Sequence, residues 1–189
     1  MVLKDRDIRQ ALHKSEIVRI VEADPTSLVL DELGIFQGKY RIDVAVVNGQ
    51  LTGFEIKSAA DTLERLPKQQ KFYSQVFDRI TLVADERHVV EAMKIVPPWW
   101  GLMVATTRDG EPVVEEIWRS RQNQSVDPFA LCQLLWREEA LAILRKKKRA
   151  ADLRSRSRKL MWKRLASELE LEELKYLVLN TLKFRTDWR

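Results

Sequence analysis

Two short runs, Tyr40–Val47 (YRIDVAVV) and Leu51–Lys57 (LTGFEIK), constrain this chain more than any other feature. The first is dense in β-branched residues, and both are predicted strands. Asn48-Gly49 stands between them, a pair that accepts the backbone angles of a tight hairpin. A chain with this hairpin must build a sheet, and the flanking segments decide what covers it. Upstream, about Asp5 to Ala23 is predicted helical from the broken stripe Ile8, Leu12, Ile17, Ile20 and Val21, and Asp24-Pro25 ends it. Ser27–Leu33 fits a strand or a short helix. Downstream, Asp61 and Glu64 resemble a capping box opening a helix to about Phe77, with Pro67 either starting or kinking it. Strands are expected at Arg79–Ala84, Trp99–Thr106 and Pro112–Trp118, with a helix near Glu86–Lys94. From Asp127-Pro128 the pattern is wholly helical, through Arg145 and again from about Ser157 to Lys183. The expected architecture is therefore α/β. A mixed central β-sheet flanked by helices spans 1–124, and an all-helical basic extension spans 125–189.

Composition removes several chemistries. Cys132 is the single cysteine and cannot form an internal disulfide, and His13 and His88 alone cannot complete a thiolate–imidazole zinc site. No apolar run approaches the roughly 20 residues of a membrane span. Met1–Arg9 carries charges where a signal peptide needs an apolar stretch, so a cytoplasmic location is expected. The net charge of +5 is uneven: Arg137–Arg164 holds 12 Lys/Arg against 3 Asp/Glu, leaving the rest of the chain mildly acidic. A basic arm on an acidic body suggests polyanion binding beside something that needs carboxylates; a solvated helix face is the plainer alternative.

Asp43 on one strand and Glu55-Ile56-Lys57 on the next form the sharpest constellation. Glu173-Leu174-Lys175 has the same spacing but lies in a helical stretch without a partner strand. Strand alternation puts Glu55 and Lys57 on one face. Whether Asp43 joins them depends on the turn. A two-residue loop pairs Val47 with Gln50 and sends Asp43 to the opposite face; a three-residue loop or bulge brings the two carboxylates together. Together they would repel or share a proton unless a cation intervenes, and such hard oxygen ligands suit Mg2+ or Mn2+. The Ile56 backbone carbonyl is a further candidate ligand. Lys57 would then orient or deprotonate a water and stabilise charge on a phosphate. The alternative is an interstrand salt bridge.

These residues resemble the PD-(D/E)XK nuclease superfamily. Gln69 and Tyr73, four apart on one helix face, are similar to the Gln-xxx-Tyr element of its RecB-like branch, although the same spacing fits a helix packed on the sheet. The stretch from Leu30 to Gly101 is similar to a family of small uncharacterised bacterial and phage proteins in that superfamily. Ile42 stands where the motif name expects proline. The resemblance implies a restriction-endonuclease-like core and divalent-metal-dependent phosphodiester hydrolysis, on DNA. Asp43 and Glu55 would hold the metal, Glu32 would assist, Lys57 would act on the nucleophile, and Gln69 and Tyr73 would support.

Arg145, Lys146, Lys147, Lys148, Arg149, Arg154, Arg156, Arg158, Lys159 and Lys163 are the candidate nucleic-acid contacts. Trp99-Trp100 could stack bases but fits core packing better, and Lys163–Leu182 has the cadence of a helix-turn-helix or of a plain helical hairpin. A homodimer through the C-terminal helices is a candidate assembly. The rival reading is a catalytically silent nucleic-acid-binding or regulatory module of phage or defence context; a protein-interaction component is a third.

Overall fold

The computed structural model describes residues 2–148 and 156–188. Helix α1 (Asp5–Leu12), one π-helical turn (His13–Ile17) and α2 (Val18–Ala23) run on as the expected N-terminal helix, which ends at Asp24 before Pro25. The undecided segment after it is a strand, β1 (Leu28–Ile35). Strands β2 (Tyr40–Val47) and β3 (Leu51–Lys57) follow as predicted. Next come α3 (Leu66–Tyr73), β4 (Arg79–Asp85), α4 (Glu86–Ile95), β5 (Gly101–Arg108) and β6 (Glu111–Trp118). Four helices complete the described chain: α5 (Pro128–Cys132), α6 (Arg137–Lys146), α7 (Arg158–Glu168) and α8 (Leu171–Lys183).

The six strands form one mixed sheet in sequence order. β1, β2 and β3 are antiparallel, β3 to β5 run parallel through the α3 and α4 crossovers, and β6 returns antiparallel on the edge. Hydrophobic cores lie on both faces. One holds α1 and α2 over Val44, Val46, Phe54, Ile56 and Val83. The other joins Ala45, Val47, Leu82 and Leu102 to the buried faces of α5 to α8. The C-terminal helices therefore share a core with the sheet. Met161, Trp162 and Leu165 of α7 and Leu174, Val178 and Leu182 of α8 are buried, so both helices pack into this core. Trp100 is fully buried as well, which settles its role as core. No helix among the described residues is long and apolar enough to cross a membrane.

Several boundaries depart from the sequence reading: the third helix ends at Tyr73 and not near Phe77, and the helical stretch after Asp127 is broken between Cys132 and Arg137. Helix α3 starts at Leu66 with Pro67 in its first turn, where a missing N–H does no harm. Asp61 caps no helix there; its carboxylate accepts from the Ser58 amide at 2.8 Å and the Ser58 hydroxyl at 2.6 Å, closing the turn that leaves β3. The apparent capping box belongs to a loop because a local Ser-xx-Asp turn captured the same carboxylate.

Candidate functional site at the open end of the β2–β3 hairpin

The turn decides the site. Val47 pairs with Leu51, so the loop is the three residues Asn48-Gly49-Gln50, with Gly49 at φ 95°. Pairing continues to Val44 with Phe54, and the next position sets Asp43 level with Glu55. The parity that two neighbouring carboxylates require is thus met. The regular ladder stops there. Asp43 Oδ2 accepts the Ile56 amide proton at 2.6 Å, a side chain taking the place of a strand carbonyl.

A matching irregularity sits on β1. Asp31 pairs with Val44 and Leu33 with Ile42, while Glu32, between them and facing Asp43, takes the left-handed φ of 59°. Before it, Leu28 and Leu30 pack toward the C-terminal helices; after it, Leu33 and Ile35 do. The alternation therefore reverses at Glu32, and on β2 it reverses at Asp43, since Ile42 joins the core containing Ala45 and Val47. A non-glycine residue in this region costs about 1–3 kcal/mol, and such strain concentrates at functional sites. Gly53 accommodates the reversal: a Cβ there would lie 2.3 Å from Ile42 Cδ1 and 3.0 Å from the Phe77 ring.

Asp43, Glu55, Ile56, Lys57, Gln69, Tyr73 and Glu32 all line one cavity of about 780 Å³. Glu55 and Lys57 are nearly inaccessible and bond to each other through Glu55 Oε1. Gln69 Nε2 donates to the same oxygen at 2.6 Å, and Tyr73 donates to the Arg41 carbonyl at 2.6 Å. Glu55 Oε2 and Gln69 Oε1 are buried with no hydrogen-bond partner. An orphaned buried acceptor costs about 1–3 kcal/mol, so two in one cavity fit a cation or ordered water. Burial, and then the neighbouring Glu55 charge, push the Asp43 carboxyl up to about 7; the Ile56 amide, Lys57 and Arg9 pull it the other way. Burial likewise raises Glu55 despite Lys57, and burial beside Glu55 lifts the Tyr73 hydroxyl above its ordinary value.

Arg9 was not legible in the sequence. From α1 it reaches the Asp43 carbonyl at 2.6 Å, Asp43 Oδ1 at 3.3 Å and Glu32 Oε1 at 2.6 Å. Glu32 Oε2 meets Arg41 at 2.7 Å, so Glu32 is held by two guanidiniums. Among the described residues no three His, Cys, Asp or Glu side chains converge as a metal cage. Two carboxylates and a backbone carbonyl suit a cation that keeps several waters, as Mg2+ does. The cations on the rim, Lys39, Arg41, Arg65 and Lys68, come from the β1–β2 turn, the start of β2 and the start of α3. Among the described residues, none of the basic side chains chosen from the extension lines this cavity. Lys147 is paired with Glu173, and Arg158 bonds Gln37 at 2.8 Å. Arg149 and Arg154 lie outside the described residues.

Fold and site together define an α/β protein with a buried carboxylate–lysine cavity where its central hairpin opens. The chain belongs to the family described as Bacteriophage P4 protein cII, which it matches over residues 4–187. Protein cII of Enterobacteria phage P4 is 24% identical over 184 residues, covering 97% of this chain and 68% of the phage protein. A solved protein of unknown function from Silicibacter pomeroyi is similar at 17% identity and TM-score 0.45, over 83% of this chain and 98% of that one.

Proposed function

We propose that this protein is a divalent-metal-dependent nuclease acting on DNA, and that its sheet is a restriction-endonuclease-like core. The observation that carries the reading is the convergence of Asp43, Glu55 and Lys57 in one cavity with an orphaned Glu55 oxygen. Asp43, Glu55 and the Ile56 carbonyl would hold Mg2+ or Mn2+. A hard dication there supplies charge neutralisation and Lewis acidity toward a phosphoryl oxygen. Lys57, fixed by Glu55, presents an ammonium to the attacking water or the phosphate. Gln69 holds Glu55 in place from α3, and Tyr73, bonded to the β2 backbone, fixes the position of that helix. Arg41, Arg65 and Lys68 would draw the phosphodiester backbone to the cavity mouth.

Arg9 favours a second reading, a catalytically silent nucleic-acid-binding or regulatory module of phage or defence context. Its guanidinium already bonds both Asp43 and Glu32 without any metal. Cleavage separates the two. Single-stranded, duplex, nicked and branched DNA are incubated with Mg2+, Mn2+ or EDTA, beside the Lys57→Ala protein. The nuclease reading expects metal-dependent cleavage that falls at least 100-fold in Lys57→Ala, as loss of a positioned charge or proton-transfer group does. No cleavage of any substrate by the wild-type protein sinks it in favour of the silent module.

A further inference from the structure

A second cavity of about 490 Å³ adjoins the first, and Glu32, Gly34 and Gly38 line both. The divide is therefore partly bare backbone. A Cβ on Gly34 would touch Gly38 Cα at 3.5 Å, and one on Gly38 would meet nothing within 4 Å. Beyond the glycines, the far wall carries indoles and guanidiniums. Arg185 lies 4.2 Å from the Trp136 ring centre and 4.5 Å from that of Trp188, which builds an indole–guanidinium–indole stack. Glu139 anchors Arg185 through both carboxylate oxygens, at 2.6 and 2.7 Å, so the stack is held rigidly. Trp188 keeps 37% of its surface exposed. Arg158 lines the same cavity, and its bond to Gln37 leaves that contact without a neutralising acid. The cavity's own acids are engaged elsewhere: Asp31 meets His13 at 2.9 Å, and Glu32 is held by Arg9 and Arg41.

We propose that the two cavities form one trench for single-stranded DNA, which crosses the Gly34–Gly38 saddle and stacks a base on Trp188 while Arg158 meets its phosphate. The inference rests on the nuclease reading for the first cavity and adds the substrate class. Aromatic platforms beside cations are what a flexible polyanion with exposed π-faces requires. Duplex DNA turns its bases inward and offers Trp188 nothing to stack on. At Gly34 and Gly38 the saddle lacks side chains where a chain must cross, and Glu32 beside them is held by Arg9 and Arg41.

Polarisation of a short fluorescein-labelled oligothymidylate in EDTA measures binding apart from cleavage. Trp188→Ala and Gly34→Leu are each expected to weaken the single strand roughly tenfold, the weight of one stacked base, without altering far-UV circular dichroism. Arg158→Ala should reduce the salt slope by about 0.7. Wild-type affinity in both Trp188→Ala and Gly34→Leu overturns the trench, as does tighter wild-type binding to a blunt duplex. Trp188 lies beyond α8, so its variant reports on binding even if Gly34→Leu fails to fold. Weakened single-strand binding in a protein that never cleaves supports the trench and removes the nuclease reading. Metal-dependent cleavage with wild-type affinity in both variants overturns only the trench.

Discussion

Replacing Asp43 by asparagine should stabilise the metal-free protein at neutral and alkaline pH. The Asp43 side chain is only 19% exposed, and its pKa rises from 3.8 to about 7, first through burial and then through Glu55. A carboxyl whose folded pKa is raised binds more protons folded than unfolded, so stability falls as pH rises from about 4 to about 7 and stays low above that. At 1.36 kcal/mol per pH unit the gap corresponds to about 4 kcal/mol, which is a ceiling. Asparagine keeps an acceptor for the Ile56 amide, but it loses the Arg9 contact at 3.3 Å. That offsets about 1 kcal/mol and leaves a net gain of about 1–3 kcal/mol. For a chain of 189 residues this raises Tm by about 2–12 °C. Differential scanning calorimetry in EDTA at pH 4.5 and pH 8 (conditions about half a unit above the unfolded pKa and a full unit above the folded one) reads the difference directly. The advantage of Asp43→Asn should be largest at pH 8 and shrink toward pH 4.5. A constant difference across that range, or a wild-type advantage at pH 8 without metal, refutes the argument. Added Mg2+ should reverse the order at pH 8 by stabilising the wild-type protein alone.

Gly53→Ala should cost about 1–3 kcal/mol, because its Cβ meets Ile42 Cδ1 at 2.3 Å inside a filled core. Ile42→Val in the same chain removes that methyl and should recover part of the Tm, and equal melting of both variants would contradict the packing. Asn123→Ala removes donors at 2.7 Å to the Ser74 carbonyl and 2.8 Å to that of Phe77. Orphaning the buried Phe77 carbonyl and the half-buried Ser74 carbonyl should cost about 1–3 kcal/mol by urea denaturation. An unchanged midpoint would mean water replaces the amide.

Much of the fold was legible locally. The hairpin, the N-terminal helix and its stop at Asp24-Pro25, the order of later strands and helices, and the burial of Trp100 all follow from propensity, turn chemistry and apolar spacing. Asp43, Glu55 and Lys57 were readable as one group, since strand alternation brings them together once the turn has three residues, whereas Gln69 and Tyr73 joined them only through the resemblance to the nuclease superfamily. Ser27–Leu33 stayed open because a short apolar run satisfies either period. The start of α3 was misplaced because Asp61 fits two local turns equally well.

The rest required partners distant in sequence. Arg9 lies 34 residues from Asp43, and nothing in α1 marks it out from Arg6 or Lys4. Strict alternation puts Ile42, Val44 and Val46 on one face, yet the chain reverses at Asp43 and Glu32 because Gly53 leaves room for Ile42 on the other. The basic run of the extension is legible in the sequence as a segment to hold a polyanion backbone, but Lys39, Arg41, Arg65 and Lys68, which line the carboxylate cavity, are not marked out in it. Sequence determined that Asp43, Glu55 and Lys57 could gather at the hairpin, because periodicity and turns act over a few residues. Tertiary structure decided which charges reach them and where the strands break step, because those outcomes depend on packing between elements far apart in the chain.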